Sequence, residues 1–371
     1  MRILLSIHHR IREGAGAPGA TAALARALRA LGTEVDVIDF SLVPGGTEST
    51  RTALRYPHAV KGFLASPAGQ RYDVVDASTG DLAYRSRRHD VGSSTVYVTR
   101  SHGLEHLVVA ARRAGAAAGQ LELRRRYALY HGGFRLREVA ASLRRSDGVW
   151  CLSAEEVALA VSLGVPQSAT TIGTNGIDLE GFPLVDRPAS SPPLVTILGG
   201  SSWRKGTDTA LDACALLAET HPDATFSWLG SGPVDWSTIP AALRPRITIT
   251  ETYRPEELWS LLTPSSVAVL AARVEGMPIS LLEAAACSVP VVATAIPGVT
   301  DLLRASGGGC TVPVDDAAAM ARAVGTLLSD PQRRLDLGRS ARRDVEQRTW
   351  ASVASTSLAF YEHLKHRKVV R

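Results

Sequence analysis

This sequence of 371 residues predicts an α/β fold built twice over. Short apolar runs, suited to buried parallel strands, alternate with helical stretches along the whole chain. The alternation stops at a proline- and serine-rich stretch, 186–193, and then restarts. The length also exceeds what one core usually supports and suits about two domains of roughly 100–200 residues. The expected organisation is therefore an N-terminal half over 1–185, a linker over 186–193 and a C-terminal half over 194–349. Each half is expected to be a mostly parallel sheet with helices on both faces, placing a ligand at the strand C-termini in the cleft between them.

Taken in order, Arg2–Ile7 is an apolar first strand cut off by His8-His9-Arg10, which argues against a secretory leader. An Ala/Leu-rich helix over Ala20–Leu31 is closed by Gly32, and Glu34–Phe40 is the second strand. The stretch 41–72 shows turns at Pro44-Gly45-Gly46 and Pro67 but no regular period. Asp73–Asp76 and Ser94–Thr99 read as strands. Leu121–Arg145 is expected to be mostly helical, with Leu123, Tyr127, Tyr130 and Phe134 on one face and Gly132-Gly133 as an interruption. A strand at Gly148–Leu152, a helix at Ala154–Leu163 and a short strand at Thr170–Ile172 follow, then a turn at Asn175-Gly176-Ile177-Asp178.

In the second half the strands fall at Leu194–Leu198, Thr225–Leu229, Ile247–Thr250, Val267–Ala272 and Val291–Ala293. Helices are expected over Asp208–Glu219, Pro255–Leu262 and Ile279–Cys287, then near Asp315–Leu328, Pro331–Glu346 and Trp350–His366.

Composition narrows the class. Hydrophobic residues make up 45%, yet no run approaches the roughly 20 apolar residues of a membrane span, so a soluble, cytoplasmic protein is expected. Cys151, Cys214, Cys287 and Cys310 are scattered through apolar segments with no C-x-x-C pair, as buried thiols of a reducing compartment would be. The net charge of +5 is uneven, because 101–146 holds nine arginines against three glutamates. Such a run reads first as a solvated helix face, next as a surface for anionic lipid or a polyanionic acceptor. Lys365, Arg367, Lys368 and Arg371 would reinforce the second reading. Nucleic acid ranks last, since no recognised module or aromatic platform accompanies the charge.

The most informative stretch is Val267–Asp301. An apolar strand leads into Arg273-Val274-Glu275-Gly276-Met277-Pro278, and a helix begins where the missing N–H of Pro278 costs nothing. Glu275 and Glu283 bracket a helix N-terminus, a position that favours a negatively charged ligand. Favourable helix-dipole pairing would explain Glu283 alone, but not why Glu275, Gly276 and Pro278 share a strand–loop–helix crevice.

In the loop Gly199–Gly206, Arg204 and Lys205 stand just before a helix, where a fork and a point charge can hold a diphosphate. A solvated pair in a turn is the plain alternative. His102 follows a strand end, where a neutral imidazole can bond a sugar hydroxyl or a phosphate. Gly14-Ala-Gly16-Ala-Pro-Gly19 has the G-x-G-x-x-G spacing. His8 to Glu13 separate it from its strand, so it reads equally as a dinucleotide loop or as a simple helix entry.

Glu275 and Glu283 have seven residues between them within E-G-M-P-I-S-L-L-E-A-A-A-C-S-V-P-V-V-A-T, and this stretch resembles the signature of the family-4 retaining glycosyltransferases. That resemblance implies the GT-B fold, two Rossmann-like domains facing each other across a cleft. It implies that Glu275 lies beside the donor sugar and that Glu283 bonds the ribose of a nucleotide-sugar donor. It further places Arg204, Lys205, Gly16, Gly276, Met277 and Pro278 at the diphosphate, Tyr253 at the nucleobase, and His102 beside Glu275 as a catalytic residue. A closing helix, about 350–371, is expected to cross back onto the N-terminal half from Trp350. Several members dock on membranes through a basic face of that half.

No Asp-x-Asp occurs, so neither a metal nor another cofactor is expected, and the leaving diphosphate would be met by cations and a helix dipole. The two rival readings are an NAD-dependent oxidoreductase using the Gly14–Gly19 loop and a non-catalytic nucleotide-sugar or glycan binder of the same fold.

Overall fold

The structure, a computed structural model, describes residues 1–369 apart from 13, 15, 87–93 and 185–192. Its elements in order are β1 (Arg2–Ser6), α1 (Gly16–Ala30), β2 (Glu34–Ile38), α2 (Thr50–Ala65), β3 (Val74–Ser78), β4 (Val96–Arg100) and α3 (Glu105–Ala117). Next come α4 (Arg125–Leu129), α5 (Leu136–Arg145), β5 (Gly148–Cys151), α6 (Ala154–Ser162) and β6 (Thr170–Ile172). The second series runs β7 (Leu194–Leu198), α7 (Thr207–Thr220), β8 (Thr225–Leu229), β9 (Ile247–Thr250), α8 (Leu258–Leu262) and β10 (Val267–Leu270). It continues with α9 (Ile279–Ala286), β11 (Val291–Thr294), α10 (Pro297–Ser306), β12 (Gly309–Val312), α11 (Ala317–Leu328), α12 (Pro331–Val345) and α13 (Trp350–Val369).

The chain forms two compact units, Met1–Gly176 with Trp350–Arg371 and Ile177–Thr349. The stretch 186–193 read as a linker lies outside the described residues apart from Pro193. Each unit carries a six-stranded sheet, in the orders β2-β1-β3-β4-β5-β6 and β12-β11-β10-β7-β8-β9. Every strand pairs parallel to its neighbours. This is the two-unit parallel α/β architecture of GT-B proteins. In each sheet the order reverses once, between β1 and β3 and between β7 and β10. At such a reversal the following loops diverge and leave a crevice at the strand C-termini.

Burial follows from the apolar runs. Trp228 and Phe226 of β8 are 1% exposed and pack with Leu211 and Leu217 of α7 and Met320 and Val324 of α11. Each large apolar side chain buried this way contributes about 1.5–3 kcal/mol.

In the first unit α13 completes the core by laying Val353, Ala354, Tyr361 and Leu364 against β1, β4 and Trp150. Gly148 makes this approach possible, since a Cβ there would stand 2.4 Å from Leu364 Cδ1. A buried ion pair pins the helix. The Arg100 guanidinium donates to Asp76 Oδ2 at 2.7 Å and to Ser357 Oγ at 2.9 Å, and the Tyr361 hydroxyl donates to the same carboxylate oxygen. Gly176 packs under Trp350, and the Ile177 N–H donates to Arg348 O at 3.0 Å.

Several elements differ from expectation. The stretch 41–72 contains α2, capped by Ser49, which accepts from the Thr52 N–H, and packed through Tyr56, Val60 and Leu64. Pro57 inside it masks a helical period that tertiary packing restores. α3 and the pair α10 and β12 also form where no element was expected.

Leu121–Arg145 is, as expected, mostly helical and interrupted at the glycine pair. α4 and α5 are joined by a π-helical stretch, Tyr130–Arg135, that contains the glycine pair. Its aromatic stripe does not face a core, as Phe134 is 40% exposed. The arginines of 101–146 are not one solvated face either, because Arg135 is buried against Glu105 and Thr79 O. All four cysteines are free, and Cys310 is only partly buried. Among the described residues no helix is long and apolar enough to cross a membrane.

Candidate active site

In the second unit the reversal crevice is walled by the loop after β7 and the loop after β10. The β7 loop turns tightly. Gly199 has φ +109°, a short 3-10 turn covers Trp203–Lys205, and Gly206 caps α7 at φ +59°. A Cβ on Gly206 would lie 1.9 Å from Ala271 O, so only glycine allows the two loops this close.

Arg273 rivets them together. Its backbone N–H donates to Arg204 O at 2.9 Å and its guanidinium to Trp203 O at 2.7 Å. It also bonds Asp208 Oδ2 at 2.7 Å and Asp315 Oδ1 at 2.6 Å. Five donors in a planar fork are all used here, which a lysine could not reproduce.

The rivet brings Arg204, Lys205 and Glu275 into contact. Lys205 Nζ lies 2.7 Å from Glu275 Oε1, and Arg204 Nη1 lies 3.4 Å from Glu275 Oε2. The loop 275–278 is fixed from behind, since a Cβ on Gly298, at the start of α10, would meet Gly276 O at 1.9 Å. Pro278 precedes the first turn of α9, where the Leu281 N–H donates to Pro278 O at 3.1 Å and the Ile279 and Ser280 N–H groups have no helical partners.

Glu283, on α9, lies near Lys205. Burial pushes its carboxyl up to about 7 while Lys205 pulls the other way. Tyr253 follows β9, and its ring edge lies over the Gly230 backbone, 3.3 Å from where a Cβ would stand. Burial, with the Glu283 charge adding, pushes the Tyr253 hydroxyl up to about 12. The structure thus gathers Arg204, Lys205, Glu275, Gly276, Met277, Pro278, Glu283 and Tyr253 at strand C-termini of one sheet.

Gly16 and His102 belong to the other unit. Gly16 opens α1 at φ +39°, with open space where a side chain would be. His102 follows β4 and is neutral, its pKa pushed down to about 3 by burial with the Arg100 charge adding. The reversal crevice of that unit holds a group the sequence did not single out. His8 Nδ1 lies 2.9 Å from Asp81 Oδ1, and Asp81 Oδ2 accepts from Ser6 Oγ at 2.8 Å. Arg135 Nη2 lies 3.2 Å from His8 Nε2. A guanidinium can only donate, so Nε2 accepts and Nδ1–H donates to Asp81. His8, Asp81 and Arg135 are far apart in the chain, as are Arg273, Asp208 and Asp315. Only Arg273 stood inside a motif.

Two parallel α/β units, one with paired cations and acids at its strand C-termini, define the class of fold and the candidate site. Comparison with known proteins agrees. The family model "Glycosyl transferases group 1" matches residues 192–330. A GDP-mannose-dependent alpha-(1-6)-phosphatidylinositol monomannoside mannosyltransferase of Mycolicibacterium smegmatis is 30% identical over 291 residues, 71% of this chain and 72% of that protein. The chain belongs to the glycosyl transferases group 1 family.

Glycogen synthase of Mycobacterium tuberculosis is 29% identical over 227 residues, 59% of this chain and 55% of that protein, so the match spans about half the length of that relative. Among solved structures, sucrose-phosphate synthase from Thermosynechococcus elongatus superposes with TM-score 0.76 at 21% identity, covering 98% of both chains. Anabaena Alr3699/HepE in complex with UDP and glucose superposes with TM-score 0.69 at 16% identity, covering 98% of this chain and 100% of that one.

Proposed function

We propose that the protein is a retaining glycosyltransferase of the family-4 type. It transfers a sugar from a nucleotide-sugar donor, a UDP- or GDP-sugar, to a hydroxyl of a glycan, a lipid-linked saccharide or a small metabolite. The observation that carries this is the convergence of Arg204, Lys205, Glu275 and Glu283 at the β7/β10 reversal of one sheet.

In this reading Lys205, Arg204 and the N–H groups after Gly276 meet the charge that grows on the diphosphate as the sugar–phosphate bond breaks. Such preorganised stabilisation usually contributes most to the rate. Glu283 accepts from the ribose hydroxyls and Tyr253 packs beside the base. Glu275 bonds the sugar, and no metal is required. The Met1–Gly176 unit binds the acceptor, with the neutral His102 bonding a hydroxyl and Gly16 leaving room for a close backbone approach. Exposed Leu129 (76%) and Phe134 (40%), beside Arg124, Arg125 and Arg126, support peripheral contact with an anionic membrane.

A thermal-shift panel of UDP-, GDP-, ADP- and dTDP-sugars tests the reading, with NADH as the arm for the hydride-transfer rival. One nucleotide class at about 100 times its Kd should add about 2.7 kcal/mol of stability. A response to NADH alone, or to none, would overturn it.

A further inference from the structure

The two cations assigned to the diphosphate already share a single carboxylate. Lys205 Nζ and Glu275 Oε1 are 2.7 Å apart, with side chains only 18% and 10% exposed. Arg204, 44% exposed, reaches the other carboxylate oxygen at 3.4 Å. The Lys205 stem runs over Gly199, where a Cβ would stand 3.2 Å from its Cδ, so the chain is directed toward Glu275 by a glycine that makes room for it. The carboxylate is equally confined, between the buried Val274 and Gly276, whose carbonyl abuts Gly298. An incoming anion must share these cations with Glu275 or displace it.

We propose that Glu275 is a built-in counter-anion that shifts the site's preference away from a bare nucleoside diphosphate and toward a sugar-capped one. This rests on the donor-site reading above. The chemistry of the two ligands supplies the difference. The terminal phosphate of a nucleoside diphosphate has a second ionisation near pH 6 and carries about −1.5 to −2 at pH 7. In a nucleotide sugar the same phosphate is esterified on both sides and carries a single charge. The bare diphosphate therefore sets up to one more negative charge against Glu275, in a partly buried place where screening is weak. The donor instead offers hydroxyls that the carboxylate can accept from. Once the sugar has left, repulsion between Glu275 and the extra charge eases departure of the diphosphate, and Glu275 recaptures Lys205.

The test is calorimetric titration of the full chain with UDP, GDP and ADP and with UDP-glucose, GDP-mannose and ADP-glucose, for the wild type and for Glu275→Gln. The amide keeps the shape and loses the charge. Affinity for the bare diphosphate of the preferred base should rise about tenfold, with a much smaller change for its sugar conjugate. Glu275→Asp, which withdraws the carboxylate by one methylene, should move the ratio the same way by about threefold, and it serves if the glutamine variant does not fold. In the glutamine background Lys205→Gln should weaken diphosphate binding more than it does in the wild type. A wild type that binds these nucleotides, with a bare-to-capped ratio unmoved in both variants, overturns this inference alone. A wild type that binds none of them overturns the donor-site reading beneath it as well.

Discussion

Glu283→Ala is expected to abolish the stabilisation of about 2.7 kcal/mol that a saturating nucleotide confers. The carboxylate makes no hydrogen bond among the described residues, and burial holds its pKa at about 7 against the pull of Lys205. A partly buried carboxylate without a hydrogen-bond partner costs stability in the free protein, and a ligand that donates to it recovers part of that cost.

The same geometry fixes the sign of a pH dependence. Charge-assisted hydrogen bonds from ribose hydroxyls favour the ionised form. Nucleotide affinity should therefore fall as pH drops below about 7, by about tenfold between pH 8 and pH 6. Glu283→Gln should flatten that profile. Calorimetric titration at three pH values checks it, and a wild-type profile already flat would reject the ribose role.

The second large effect lies away from the chemistry. Arg100→Met is expected to destabilise the first unit by about 3–5 kcal/mol, because Asp76 is left as an uncompensated buried charge under α13. For a unit of this size that is roughly a 10 °C fall in Tm. Ser357 Oγ loses its partner and the Tyr361 hydroxyl loses the guanidinium while keeping Asp76, so the last helix should loosen first. Hydrogen exchange across 350–369 would register this. Asp76→Leu added to Arg100→Met should recover part of the loss, since removing both charges removes the desolvation cost. If the single variant melts with the wild type, the ion pair is not what seats the helix.

How much of this was legible in the sequence depends on the range of each interaction. The crevice residues after β10 lie within a dozen positions, and their strand, loop and helix signals are local, so Glu275, Pro278 and Glu283 stood out together. Arg204 and Lys205 were readable for the same reason, being adjacent and followed at once by a helix. α2 was not legible, because Pro57 opposes a period that only packing of Tyr56, Val60 and Leu64 against β1 and β3 makes worthwhile. β12 is four residues long, begins at a glycine, and forms only because β11 offers it a parallel edge. The rivet from Arg273 to Asp208 and Asp315 joins side chains 65 and 42 residues apart, and no local pattern announces such a pairing. His8 and Asp81, separated by 73 residues, became a pair only once β1 and β3 were neighbours. In the first unit the reversal crevice is thus marked by residues that composition and motif left unremarked, while His102, chosen by position after a strand, lies one strand further on.

The central claim, that an activated sugar is gripped at the β7/β10 reversal, is tested most directly by a crystal structure with the nucleoside diphosphate that the thermal-shift panel selects. The account predicts phosphate oxygens within hydrogen-bond reach of Lys205 Nζ and of the N–H groups that follow Gly276, with the ribose hydroxyls on Glu283. A nucleotide seated on the Gly14–Gly19 loop instead, with the Lys205–Glu275 pair intact and no phosphate near it, would contradict it.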